Sequence, residues 1–204
     1  MANVNRARGF RPIRHLDGSP YNDAATPYLM TEATATFIGD IVIDTGTAAA
    51  AGVRAGGVDC EGMSIAAHST LTTTGVGNLG VVVGFVAVDT LPVNYRKASA
   101  TQVVLVCTDP SVVYEVQEDG VGNNIAAADI GNNFGFNSGA GSTVTGASAY
   151  SLDSSATSTA ATYPLRVLGL VKRPDNAFGL SSTDLAKFEV VFNDSRVGAG
   201  TAGI

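Results

Sequence analysis

Tryptophan is missing from this 204-residue sequence, and there are only two cysteines and two histidines. Each shortage closes a class of function. Cys60 and Cys107 are too few for a disulfide framework. Cys107 ends the apolar run Val103-Val104-Leu105-Val106 and reads as a small buried hydrophobe. A zinc site would have to draw on His68, Cys60 and Cys107, yet the eight-residue spacing from Cys60 to His68 matches no common ligand pattern. His15 lies in a basic segment, and no G-x-S-x-G elbow is present, so nothing points to a nucleophile–histidine pair. A D-x-[DN]-x-[DN]-G calcium loop is absent as well. Sugar sites are typically lined with aromatics, so the missing tryptophan weighs against a paired-carboxylate glycosidase. We expect no enzyme, no catalytic residue, no metal and no cofactor.

Long hydrophobic runs are also lacking. No stretch approaches about 18 apolar residues, so no membrane span is expected. The opening MANVNRARGFRP has charge but no apolar core, so the expectation is a protein made in the cytoplasm and not exported. Helix signals are scarce. Gly (24) and Pro (7) are spread along the chain, and no long segment repeats apolar residues at i, i+3, i+4, i+7. The best helical candidate, Ser181-Ser182-Thr183-Asp184, resembles a capping box but feeds a strand-like pattern, so at most one turn is expected.

Strand signals are frequent. Phe37-Ile38 and Ile41-Val42-Ile43 are apolar runs split by Gly39-Asp40. Leu79–Val88 is apolar on both faces and reads as a central strand, or two strands bent at Gly84. Further strands are expected over Thr101–Cys107, Val112–Asp119, Leu165–Lys172 and Lys187–Asn193, separated by turns such as Asp109-Pro110 and Arg173-Pro174-Asp175-Asn176. Val112, Tyr114 and Val116 fall on one face, while Glu115 and Gln117 fall on the other. Glu115, Glu118 and Asp119 are expected to face solvent, with Arg96 or Lys97 as cross-strand partners for Glu115. The fold class is all-β: a β-barrel, β-tulip or sandwich-like body with little helix.

Two segments break this pattern. Residues 1–31 contain Pro12, Pro20 and Pro27, which rule out helix, and read as a long extended N-terminal arm. Stretched out, it would span at most about 100 Å at roughly 3.3 Å per residue. The body is then 32–204, with room for a subdomain break within 121–162. Residues 138–162 are almost wholly Gly, Ala, Ser and Thr, and read either as a flexible linker or as a long loop or Thr-rich hairpin ordered by a partner. Two glycine motifs carry no phosphate chemistry. Gly75-Val76-Gly77-Asn78-Leu79-Gly80 fits G-x-G-x-x-G but precedes Val81-Val82-Val83, a strand and not a helix. Gly139-Ala140-Gly141-Ser142-Thr143 lacks the lysine of a P-loop.

Charge is sparse, at 15% of residues, which suits a surface that meets partners. It is also unevenly placed. Arg6, Arg8, Arg11 and Arg14 stand in the first fourteen residues with no acid among them; the other eight basic residues face eighteen acidic ones, a net of −10 over 15–204. Such an arm seeks an acidic partner. Four arginines with Phe10 as their one aromatic neighbour are thin for a nucleic-acid module, and the acidic body repels DNA, so a protein partner is expected instead.

The segment Arg11-Pro12-Ile13-Arg14-His15-Leu16-Asp17-Gly18-Ser19-Pro20 resembles the N-terminus of capsid cement, or decoration, proteins of tailed phages. VLVCTDPSVVYEVQED (104–119), LRVLGLVKRPDN (165–176) and the small-residue stretch around Leu152-Asp153-Ser154-Ser155 resemble the same group. The resemblance implies a virion structural protein on the outer capsid surface that clamps adjacent major capsid protein subunits and stabilises the expanded head. It implies homotrimers at three-fold or quasi-three-fold points, with no nucleic-acid or membrane partner. The binding residues it implies are Arg6, Arg8, Phe10, Arg11, Arg14, His15, Tyr21 and Tyr28, with backbone near Tyr28-Leu29-Met30 extending a neighbour's sheet. The alternative is another virion component, a head-fibre or tail protein with a receptor-binding role. A secreted hydrolase or lectin-like binder is disfavoured by the missing leader and the missing tryptophan.

Overall fold

The computed structural model describes residues 3, 5–70, 77–88, 91, 94–122, 124–179, 181, 184–193 and 195. The chain is nearly all β. Its first strands in chain order are β1 (Arg11–His15), β2 (Thr26–Met30), β3 (Thr36–Phe37), β4 (Ile41–Ala48), β5 (Arg54–Ala55), β6 (Val58–Asp59), β7 (Ser64–His68) and β8 (Asn78–Phe85). Then follow β9 (Tyr95–Arg96), β10 (Gln102–Cys107), β11 (Val112–Gln117), β12 (Asn133–Asn137), β13 (Ser151–Ser158), β14 (Leu165–Leu170) and β15 (Lys187–Phe192). A single 3₁₀ turn, Ala127–Asp129, is the helical element among the described residues. Ser182 and Thr183 of the expected capping box lie outside them.

Two bodies result. β10, β2, β7, β4 and β8 close a five-stranded barrel in that order. β1, β11, β15, β14, β12 and β13 form an open six-stranded sheet, antiparallel throughout. The barrel expected from the sequence is therefore present, with a sheet beside it. Alternation along the strands builds both cores. Met30, Val42, Ala66, Val82, Val104 and Val106, drawn from all five barrel strands, pack together. Their neighbours Ile41, Val81 and Cys107 instead join the sheet's Tyr114, Phe134, Phe136, Leu165, Phe188 and Val190. Successive side chains point to opposite faces, so one barrel wall serves two cores at once. β8 is one strand, the first of the two expected forms, and its register with β10 slips at a bulge between Leu105 and Val106, next to Gly84.

The described part of residues 1–31 lies on the body. β1 pairs with β11 from Arg11↔Glu115 to His15↔Val112. β2 pairs with β10 over five positions and with β7 through Leu29↔Ile65. Its backbone is thus committed to the barrel, over its whole length on the β10 side and at Leu29 on the β7 side, and does not stand as an edge strand for a neighbour's sheet. The cause is local. Leu29 and Met30 are apolar enough to bury completely, at 1% and 0% exposure. Pro12 is tolerated because β1 is an edge strand. Residues 108–111 join the last barrel strand, β10, to β11 of the sheet.

The small-residue stretch 138–162 is ordered by the chain's own contacts. Ala147 bridges Ile38, Ser148 N–H donates to the Ile38 carbonyl at 2.9 Å, and β13 forms a sheet edge paired to β12. β11 is buried along its whole length, so Glu115 and Gln117 do not face solvent, and Glu118 is 1% exposed. Glu118 accepts instead from the backbone N–H groups of Ile125 and Ala186 at 2.8 Å each. Burial is what raises the pKa of its carboxyl, against these hydrogen bonds.

Candidate functional site

The N-terminal segment is stitched to the rest of the chain at three points. Asn3 donates from its backbone N–H to Asp184 Oδ1 (2.6 Å) and from Nδ2 to the Ala177 carbonyl (2.8 Å). Arg6 N–H donates to Gln117 Oε1 at 2.9 Å, and Gln117 Nε2 donates to Asn5 Oδ1 at 3.2 Å. Phe10 N–H donates to the Gly39 carbonyl at 3.0 Å, while the Phe10 ring sits edge-on to Phe136 at 6.2 Å. Gly9, at φ 65°, lets the backbone pass between Gly39 and Ser148; a Cβ there would lie 2.5 Å from that of Ser148.

These anchors hold the backbone and leave the side chains of Arg6, Arg8 and Arg11 exposed. Among the described residues none of the three has an ion-pair partner. They line a cleft made of two adjoining cavities, about 620 and 330 Å³, which share Arg8, Arg11 and Arg173. The smaller also receives Lys187 and Asp175. Arg173 is occupied: its Nη1 and Nη2 clasp the buried Glu115 carboxylate at 2.8 and 2.5 Å. Glu115 therefore pairs with Arg173 rather than with Arg96 or Lys97. Arg96 is fully buried and donates to the Glu32, Thr34, Lys97 and Ala100 carbonyls. With that clasp neutral, the smaller cavity holds Arg6, Arg8, Arg11 and Lys187 against Asp175 alone, on a chain of net charge −6. The larger cavity adds Pro12, Ile13, Val83 and the 40%-exposed Ile38 to the lining, beside Tyr21, Asp23 and Thr145.

The other expected site residues are placed differently: Phe10 and Tyr21 line the larger cavity, and Arg14, His15 and Tyr28 line neither. Phe10 is an anchor, 1% exposed. Arg14 points to Glu189 (2.5 Å) and is held by the body's own charge. His15 Nδ1 meets Ser111 Oγ at 3.1 Å and Asp109 at 3.4 Å. Tyr21 lines the larger cavity, with its hydroxyl donating to the Ala24 carbonyl at 2.9 Å. Tyr28 packs against the barrel cluster, where burial and then Asp44 push its hydroxyl pKa up, and it does not line the cleft. Sequence reasoning missed Arg173 and Lys187, because the cleft is assembled across β1, β11 and β15 and no spacing reports such a pairing.

A second polar cluster lies at the barrel. His68 Nδ1 binds Glu32 Oε2, and Nε2 binds Asp40 Oδ2 at 3.2 Å. Asp40 Oδ2 also accepts from Phe37 N–H at 2.8 Å, and Glu32 Oε1 from His68 N–H at 2.9 Å. Burial opposes protonation of the imidazole, but the bonds from Asp40 and Glu32 outweigh it and push its pKa up to about 9. With both nitrogens donating to carboxylates, His68 has no lone pair free to act as a base at neutral pH. The cluster works as a fastener between the 32–40 connection and β7.

Cys60 and Cys107 are buried in different clusters. No metal-ligand group occurs among the described residues. Gly75 and Val76 lie outside them, and Gly77 to Gly80 lead into β8, so no helix terminus follows to face a phosphate. Compared with protein-family models, with curated proteins and with solved structures, the chain matches none.

Proposed function

We propose that this chain is a virion structural protein that binds the outer face of a tailed-phage capsid, clamps adjacent major capsid protein subunits and stabilises the expanded head. The observation that carries the reading is the cationic cleft: Arg6, Arg8 and Arg11 project from a backbone tied down at Asn3, Arg6 and Phe10, on an otherwise acidic chain. Cations held in place on a rigid surface bind an acidic neighbour at a smaller entropic cost than cations on a free arm. The resemblance of residues 11–20, 104–119 and 165–176 to cement proteins supports the same reading, and with it homotrimers on three-fold points of the head. Each contact is modest, and repetition over the lattice makes the sum strong.

Deleting residues 1–31 is an unsuitable test, because it would remove β2 from the barrel. Charge reversal is clean. The Arg6→Glu/Arg8→Glu/Arg11→Glu chain should fold with an unchanged far-ultraviolet spectrum and lose co-sedimentation with expanded heads by at least about tenfold in affinity. Undiminished sedimentation of the reversed chain would sink the reading.

A further inference from the structure

We propose that the cationic cleft is a docking groove for an extended polypeptide segment that carries two or more carboxylates followed by an apolar side chain. The capsid reading enters only as the source of that segment, an exposed stretch of the major capsid protein; the chemistry of the groove stands without it.

The two adjoining cavities differ in what lines them. The smaller holds Arg6, Arg8, Arg11 and Lys187, with Asp175 as the one uncompensated acid. The larger adds Pro12, Ile13, Ile38 and Val83, beside Tyr21, Asp23 and Thr145. An isoleucine left 40% exposed beside arginines suits an occupant that changes from acidic to apolar over a few residues. Guanidinium–carboxylate pairing is already the chemistry of this wall. Arg173 holds Glu115 with two bonds, and outside the cleft Arg14 holds Glu189 at 2.5 Å. A second carboxylate-bearing strand repeats that pairing with Arg8 and Arg11.

A nucleic-acid strand fits less well. It needs an unbroken cationic track and aromatic platforms. Here Asp23 and Asp175 interrupt the lining, Phe10 is buried, and Tyr21 is tied to Ala24. A long polyanion also meets the repulsion of the acidic chain. A short peptide feels chiefly the groove, because charges beyond about 8 Å are screened at physiological salt.

Fluorescence anisotropy on the full chain tests this with a labelled short peptide holding an Asp-Glu-Asp-Leu core between Gly/Ser flanks. Binding should occur at low salt and weaken as salt rises. The Arg8→Glu/Arg11→Glu chain should bind at least about tenfold more weakly. Ile38→Ser should cost about threefold for this peptide and nothing for one with Ser in place of Leu. Lys172→Glu, exposed but outside the groove, should stay within about twofold, and an oligothymidine of equal charge should bind more weakly than the peptide. The proposal is overturned if the wild-type chain ignores the peptide, if double reversal leaves binding unchanged, or if the oligonucleotide binds as tightly. Failure of the capsid reading looks different: the peptide binds and responds to charge reversal, while expanded heads do not retain the wild-type chain.

Discussion

The barrel and the six-stranded sheet solve the problem of strand edges in opposite ways. The barrel closes on itself and leaves no strand end-on to solvent. Its interior is filled by small and branched side chains, among them Val42, Ala66, Val82 and Val104. The sheet stays open, is packed with aromatics such as Tyr114, Phe134, Phe136 and Phe188, and ends on β1 and β13. Those two edges are protected differently. β13 is rich in Ser and Thr and is tied down at Ser154, which donates from N–H and Oγ to Asp119 Oδ1 at 3.1 and 2.8 Å. β1 carries Pro12, Arg11 and Arg14, and Arg6 and Arg8 lie just before it. The lesson is a division of labour: the closed body is a scaffold, and the open body exposes an edge on which charge is displayed.

The largest test of that division is core truncation. Phe136 has no exposed surface and lies between Phe10 at 6.2 Å and Tyr150 at 5.9 Å. Phe136→Ala should cost about 3–5 kcal/mol by urea unfolding. It should also loosen the Phe10 anchor and so weaken the cleft. Val82→Ala in the barrel removes fewer atoms and should cost less, with no effect on peptide binding. If the barrel variant weakened the cleft as much, the two bodies would not be separable in function.

The fastener on the barrel side gives the next effect, and it depends on pH. The His68 pKa is raised from 6.5 to about 9 in the folded chain. Its contribution to stability is therefore complete below about pH 6.5 and is lost as pH rises through 9. At 1.36 kcal/mol per unit the ceiling is about 3 kcal/mol. Glu32 is shifted the other way: burial would raise its pKa, but the hydrogen bonds and charge of His68 lower it below 4.5. Its share is present above that value and is lost on acidification. Thermal melts from pH 6 to 9 should show the wild-type chain falling in stability, whereas His68→Gln should fall much less over that range. An equally steep fall in the variant would remove the fastener from the account.

Much of this architecture was legible in the sequence. Val103 to Val106, the Val112/Tyr114/Val116 alternation and the Phe188/Val190/Phe192 alternation announce strands because their apolar residues repeat at the period of the pleat. β13 was not legible, because SLDSSATS buries Leu152 and Ser154 against a sheet and has too few apolar residues to show a period. β2 hid behind Pro27, which sits where β2 meets β10 but does not pair with β7. The cationic residues 6, 8 and 11 were legible as a group. Their rigid display was not, since it depends on Gln117, Gly39 and Asp184, far along the chain.

A smaller effect falls on the wall of the cleft. Arg173→Met would leave Glu115, 8% exposed, without its cation. Stranding a buried carboxylate costs about 1–3 kcal/mol, and its charge would then oppose an acidic occupant. Both unfolding free energy and peptide affinity should drop. Arg173→Met/Glu115→Gln should restore most of each, because the pair is removed together. If stability recovered in the double variant and affinity did not, Arg173 would be contributing its own charge to the groove.

The smallest effects should be equal in the two bodies. Gly57 turns the β5–β6 hairpin on the barrel side at φ 82°, and Gly18 turns the chain after β1 on the sheet side at φ 90°. A Cβ at either would meet nothing within 4 Å. Alanine at each position therefore adds backbone strain alone, about 1 kcal/mol for a left-handed residue. Closure of the barrel does not enter that sum, because the strain lies within one residue and no neighbour has to move. Gly56 supplies the contrast, since a Cβ there would lie 2.6 Å from Val88 Cγ2 and adds a clash to the same strain. Unfolding of the three alanine variants should rank Gly56→Ala as the most harmful, with Gly57→Ala and Gly18→Ala together below it. A Gly57→Ala cost well above that of Gly18→Ala would mean that the closed body passes strain from its turns into its ladder, and that it is less independent of its loops than the open sheet.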